Sequence, residues 1–100
     1  MNLVKRDALL HGFRPEHFAP ASWLDATNPS ARFSFVPHRE EFLGAERLVY
    51  GEVGEEKVVA RFPATTQLDL AIGQSVEYAV SNRHMRFFDA ESGARSYRAP

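Results

Sequence analysis

No apolar pattern in this chain runs far before a glycine or a proline stops it. Six glycines and six prolines are spread over the 100 residues, and the segments between them place apolar side chains at every second position. A two-residue period puts successive side chains on opposite faces, so such segments read as strands with one buried face. None keeps the three-and-four spacing of a long amphipathic helix. Several short strands at close spacing specify an all-β domain, a small barrel or sandwich.

Residues 1–7 are expected to form a flexible N-terminus and residues 8–13 the first strand. That strand ends at Arg14, because a residue before proline is pushed out of the helical region. Pro15 takes the favoured first position of a single helical turn reaching Phe18. Residues 19–31 read as a loop partly packed down by Trp23. Phe33 and Phe35 share one face of a strand from Arg32 to Val36, and Pro37 inside that run argues for an edge or a bulge. Strands Glu46 to Val53 and Glu56 to Phe62 join across Gly54-Glu55 as a hairpin, with Val58, Ala60 and Phe62 on one face. Leu68, Leu70 and Ile72 lead to a turn at Gly73-Gln74. Val76, Tyr78 and Val80 then alternate with Glu77 and Ala79, and His84 to Phe88 forms the last strand before a loop at Asp89 to Gly93.

A chain of 11.3 kDa makes one small domain that buries roughly two-thirds of its unfolded surface. Twelve basic side chains stand against 13 acidic ones, a net charge of −1, which gives no electrostatic footprint for nucleic acid. Arg83, Arg86, Arg95 and Arg98 make the C-terminal quarter basic. The rings that would have to stack on bases, Phe33, Phe35 and Tyr78, fall in phase with the core instead. Cysteine is absent, which removes disulfides, thiolate nucleophiles and Cys-bound zinc. The N-terminus is charged where a signal peptide would be apolar, and the apolar runs of three or four residues fall far short of the ~20 that span a bilayer. The expected location is the cytoplasm.

Motifs for chemistry are sought and not found. There is no phosphate-cradling Gly-rich loop, no dinucleotide fingerprint and no nucleophile elbow. His11, His17, His38 and His84 are far apart in sequence, so a zinc or metal-hydrolase site needs three of them to converge in space. Glu40-Glu41 and Glu55-Glu56 are adjacent pairs, and neighbours on a strand point to opposite faces, so neither doublet is a catalytic pair. No catalytic, cofactor-binding or metal-binding residue is assigned.

Three stretches carry a resemblance. The first runs from Leu10 to Phe18 and contains Gly12-Phe13-Arg14-Pro15-Glu16-His17. The second is Glu41-Phe42-Leu43-Gly44-Ala45-Glu46, with the strand after it. The third is Phe88-Asp89-Ala90-Glu91-Ser92-Gly93-Ala94-Arg95. In order and spacing they resemble the C-terminal accessory region of ATP-binding subunits of bacterial ABC importers, of the maltose and sn-glycerol-3-phosphate type. That region is the TOBE domain, an OB-like barrel.

The resemblance implies an all-β, OB-like TOBE barrel of about five to six short strands, incomplete because the chain lacks the strands that precede the Arg-Pro-Glu-His stretch in the family. It also implies that Gly12, Arg14, Pro15, Glu16, His17, Gly44, Glu46, Asp89 and Gly93 are structural motif residues. The implied function is that of a non-catalytic regulatory domain in a subunit whose ATPase domain, binding ATP and magnesium, is absent here. Its implied partners are a second copy, the ATPase domain, the membrane permease subunits at the inner membrane and a regulatory protein. An incomplete barrel leaves an unpaired edge, which favours pairing with another copy. The alternative is a free-standing OB-like module for a small oxyanion, a sugar or single-stranded nucleic acid.

Overall fold

Three hairpins set the architecture, and each turns in two residues with the first in the left-handed region. In the computed structural model, which describes residues 1–89, these turn residues are Asp7 (φ 59°), Gly44 (φ 62°) and Gly54 (φ 61°). Glycine takes that conformation without steric cost, and aspartate is among the few other residues that tolerate it. The turns join β1 (Asn2–Arg6) to β2 (Leu9–Phe13), β4 (Ser30–Leu43) to β5 (Glu46–Val53), and β5 to β6 (Glu56–Pro63). The remaining strands are β3 (Ala19–Pro20), β7 (Val76–Ser81) and β8 (Arg86–Asp89). Single 3-10 turns lie at Pro15–His17, Ala21–Trp23 and Asn82–His84.

All pairings are antiparallel and make two sheets, β1-β2-β8 and β3-β7-β4-β5-β6. The all-β class expected from the alternation is what forms, with eight strands among the described residues and without closure into a barrel. No helix among them is long and apolar enough to cross a membrane.

The long strand β4 explains how Pro37 sits inside a sheet. Residues 30–35 pair with β7, ending at Phe35 opposite Val76, and residues 36–43 pair with β5. Pro37 falls where the first partner has ended, so its missing N–H breaks no ladder on that side. The register shifts by a bulge between Pro37 and Arg39. The bulge bends β4 as it passes from one partner to the other. The Pro37 carbonyl is used as well, accepting from the Gly73 N–H at 2.7 Å.

The core gathers Phe13, Phe18, Phe33, Phe35 and Tyr78 with Val49, Val58, Ala60, Phe62 and Val80. Phe33 and Phe35 are buried while Ser34 between them is exposed, as period two requires. Gly51 makes room for this packing. A Cβ there would lie 2.2 Å from the Val36 carbonyl and 2.6 Å from the Phe35 ring. On β7 the alternation fails at Ala79, which is buried between Tyr78 and Val80. Ala79 lies between Ala19 of β3 and Arg32 of β4, its partners on the two sides of β7.

Two expectations are corrected. Residues 1–7 are not a flexible terminus: residues 2–6 form β1, with Val4 in the core and Asn2 buried. Asn2 acts as a mimic of a strand. Its amide Nδ2 donates to the Val59 carbonyl at 2.8 Å and its Oδ1 accepts the Val59 N–H at 2.9 Å. One side chain therefore supplies both halves of a ladder pairing on the outer edge of β6. The contact pairs the outer edge of β6 at this one residue, and at the opposite edge of the sheet β3 is two residues long and includes Pro20, a residue that blunts strand edges. Residues 19–31, expected as a loop, contain β3 and a 3-10 turn. Trp23 is 49% exposed and meets Phe62 edge-on at 5.5 Å.

Candidate functional site

The motif residues fall into two neighbourhoods. Glu16 sits in the Pro15–His17 turn and Glu46 opens β5, yet both face Arg61 on β6. Arg61 Nη2 lies 3.1 Å from Glu16 and its Nε lies 3.9 Å from Glu46. Arg61 is the outward-facing residue between buried Ala60 and Phe62, so strand alternation itself aims it at both carboxylates. The Glu16 carboxyl is held below its ordinary pKa, first by its own backbone N–H and then by Arg61. Gly44 forms the β4–β5 turn. Gly12 lies under a crossing of side chains: a Cβ there would be 2.8 Å from Met1 Sδ and 3.0 Å from the Phe88 ring. Asp89 ends β8 opposite Leu9, and Gly93 lies outside the described residues. Glu16 and Glu46, from two different motif stretches, thus share Arg61.

Arg14 and His17 belong to the second neighbourhood. β2 runs directly into the Pro15–His17 turn, and the Asn82–His84 turn runs directly into β8. Because β2 and β8 are antiparallel, with Gly12 opposite Arg86, the two turns meet at the same end of the small sheet. His17 and His84, distant in sequence, stack there with centroids 3.7 Å apart and planes 14° from parallel. Arg14, His17, His84 and Arg86 line a cleft of about 80 Å³, with Met1 and Phe13 completing its wall. Arg83 Nε donates to His84 Nε2 at 3.3 Å, which makes Nε2 the acceptor and leaves the neutral ring's proton on Nδ1. Burial, then the charges of His17, Arg83 and Arg86, hold His84 below the usual histidine range. His17 Nδ1 is buried and has no hydrogen-bond partner among the described residues.

The other histidines stay apart. His11 lies edge-on to Phe87 at 5.0 Å and Phe33 at 6.1 Å, and burial, with Arg6 next, lowers its pKa. His38 Nε2 is 3.1 Å from a Glu52 carboxylate oxygen on the face of the β4–β5 pair. Among the described residues no three His, Asp or Glu side chains converge as metal ligands. Glu40 pairs with Arg47, and Glu41 with Arg39 at 2.6 Å, so that doublet is spent on two separate ion pairs. A second cleft, of about 190 Å³, lies between Pro20, Trp23, Pro37, Leu68, Leu70 and Tyr78. Burial pushes the Tyr78 phenol up to about 12, so it stays neutral and can serve only as a hydrogen-bonding group.

Sequence reasoning found Arg14 and His17 through the Arg-Pro-Glu-His stretch and noted His84 and Arg86 only as isolated residues. Their convergence depends on the β2–β8 pairing, which no local pattern announces. Asn2 and Gly51 were missed as well. A glycine inside a strand does signal close backbone approach, so Gly51 had a legible cue. Asn2 had none.

Comparison with known proteins agrees with this geometry. The TOBE domain family matches residues 12–88, from the glycine under Phe88 to Phe88 itself. The sn-glycerol-3-phosphate import ATP-binding protein UgpC of Cupriavidus metallidurans is 32% identical over 95 residues, which is 95% of this chain and 24% of that protein. The trehalose import ATP-binding protein SugC of Mycobacterium tuberculosis is 32% identical over 114 residues, 90% of this chain and 28% of that protein. An uncharacterized ABC transporter ATP-binding protein, YurJ of Bacillus subtilis, is 31% identical over 91 residues, 91% of this chain and 24% of that protein. The chain thus spans about a quarter of the length of these curated relatives. It corresponds to the C-terminal region of the import ATP-binding subunits and not to their ATPase domain. With the family match running through both sheets, over residues 12–88, this chain belongs to the TOBE domain family.

Proposed function

We propose that the chain is a non-catalytic accessory and regulatory domain of the ATP-binding subunit of an ABC importer for a sugar or sn-glycerol 3-phosphate. The observation that carries this reading is the match through residues 12–88 to a TOBE domain, shared with relatives named as import ATP-binding proteins. The geometry of the motif is consistent with it: Glu16, Glu46 and Gly44 are engaged in holding strands and turns together, which is what an accessory module requires. On this reading ATP and magnesium bind in the ATPase portion of the subunit. A second copy of the subunit, the permease subunits and a regulatory protein are the partners, at the cytoplasmic face of the inner membrane. An antibody against this domain tests the proposal by immunoblot of source cells. A band about fourfold heavier than 11.3 kDa, as a domain spanning 24% of its parent would give, is expected. A band at the domain's own mass overturns it.

A further inference from the structure

The larger cleft, lined by Trp23, Leu68, Leu70 and Tyr78 among others, holds a buried polar group that the fold leaves unused. Tyr78 is 1% exposed, and its ring packs on Phe18 at 4.9 Å and on Phe35 at 4.7 Å. Its hydroxyl makes no hydrogen bond to another described residue, although a buried tyrosine usually finds a partner. Residues 67–71 form one wall, pinned on both flanks. The Thr66 carbonyl accepts from Arg47 Nη1 at 2.9 Å, and the Gly73 N–H donates to the Pro37 carbonyl at 2.7 Å. Leu68 and Leu70 pack against the core, and Asp69 between them is exposed. Further lining comes from Pro20, which pairs with Tyr78, and from the turn that carries Ser22 and Trp23.

Among the described residues Asp69 is the one charged side chain lining this cleft. It forms no ion pair or hydrogen bond with another of them. Arg47, which reaches Thr66, is itself paired with Glu40, so it brings no unbalanced positive charge to the wall. Trp23 is half exposed, and its ring contact among the described residues is with Phe62. The guanidinium–ring contacts among them fall on Phe33, Tyr50 and Phe42, so no internal cation covers the indole. An exposed indole attracts a cation to the negative face of its ring, and a carboxylate in the same cleft supplies the counter-charge. The lining thus offers two oxygen acceptors and an aromatic face, and its net charge is negative. The volume of about 190 Å³ is some six times the ~30 Å³ that one water occupies. It falls short of the ~300 Å³ at which sites for drug-sized molecules begin. A small ion fits.

We propose that this cleft binds a small organic ammonium ion with N–H donors, a primary or secondary amine in its charged form. Asp69 is its counter-charge, the Tyr78 hydroxyl accepts one of its N–H groups, and the Trp23 indole stacks against it. The site is independent of the importer reading, because it rests on these three residues whether or not the chain is part of a transporter subunit.

Trp23 is the chain's single tryptophan, so tryptophan fluorescence reports on this cleft and needs no variant to fold. The test titrates the full chain with ethanolamine hydrochloride at pH 7, ionic strength being held with sodium chloride. Three probes accompany it: choline, which keeps the charge and has no N–H on nitrogen; 1-propanol, which has no charge; and glucose, a neutral polyol. A saturable change with ethanolamine is expected, with choline weaker and the two neutral probes at least tenfold weaker. Asp69→Asn should weaken ethanolamine binding about tenfold, the scale of a lost charge-assisted hydrogen bond. Tyr78→Phe, which removes the hydroxyl alone, should weaken ethanolamine and leave choline unchanged. Glu55→Gln, at an exposed carboxylate in the β5–β6 turn, should change neither. Absence of saturation, binding of choline, 1-propanol or glucose as tight as that of ethanolamine, or equal loss with Glu55→Gln overturns the proposal.

Discussion

Two groups of packed rings in the molecule behave in opposite ways. At the centre, Phe13, Phe18, Phe33, Phe35 and Tyr78 lie with centroids 4.7 to 6.2 Å apart, in tilted and edge-on pairs. Each ring is satisfied by the next, since dispersion and exclusion of water ask for no particular partner. At the end of the small sheet, His17 and His84 stack face to face at 3.7 Å, but imidazoles carry nitrogens that stacking cannot satisfy. One of these, His17 Nδ1, is buried without a partner among the described residues. The first cluster is complete as a piece of folding, whereas the second leaves a buried nitrogen without a hydrogen bond among the described residues.

The largest test of that contrast is Phe35→Ala. Phe35 is fully buried and its ring sits over Gly51, so its loss should cost about 3–5 kcal/mol in urea unfolding. A loss below ~1 kcal/mol would remove the aromatic cluster from the centre of the folding energy. Gly51→Ala probes the same packing from the other side. The added methyl has no room against the Val36 carbonyl and the Phe35 ring, and overpacking of this kind costs about 1–3 kcal/mol. A neutral result would mean that β4 and β5 separate more readily than their register implies.

Asn2→Ala tests whether polar satisfaction matters to the fold as much as apolar packing. It leaves the Val59 N–H and carbonyl without their partner, which should cost about 1–3 kcal/mol and speed hydrogen exchange at the Val59 amide. The smallest expected effect is acid sensitivity. His84 and His11 are both held below the ordinary histidine value of 6.5, chiefly by burial. The unfolded chain therefore takes up protons first as the pH drops, and it is the unfolded state that gains. Stability should be full above about pH 6.5 and decline as the pH falls below it. His84→Gln should reduce that decline if the pair is the sensitive element. An unchanged thermal midpoint from pH 7.5 to 5.5 would mean that neither ring is strained by charge.

Much of the fold is legible along the chain, for local reasons. The β5–β6 hairpin shows because Gly54 supplies the turn and Val58, Ala60 and Phe62 keep strict alternation. The single turn at Pro15 shows because proline fixes its own backbone angle. β1 is illegible: Met1-Asn2-Leu3-Val4-Lys5-Arg6 is short and charged, and besides its pairing with β2 it is held by Val4 in the core and by a contact from Asn2 to Val59, far along the chain. The Ala19–Ala31 stretch hides a strand because two residues carry no period.

The candidate sites divide in the same manner. The Arg-Pro-Glu-His and Gly-Ala-Glu stretches are recognisable one at a time, but that Glu16 and Glu46 meet at Arg61 follows from strand alternation on β6 and from where the first 3-10 turn lands on it. The His17–His84 stack has no sequence signature at all, since neither residue lies near the other or repeats a spacing. It exists because β2 and β8 pair antiparallel and bring their flanking turns to one end.

The sequence by itself determined the all-β class, the two glycine hairpin turns and the family, because alternation, glycine placement and motif order are properties of neighbouring residues. Tertiary structure alone decided which charges meet, which edge Asn2 closes and which histidines touch. Those outcomes depend on pairings between distant strands, and the energy of a distant pairing is written in no single segment.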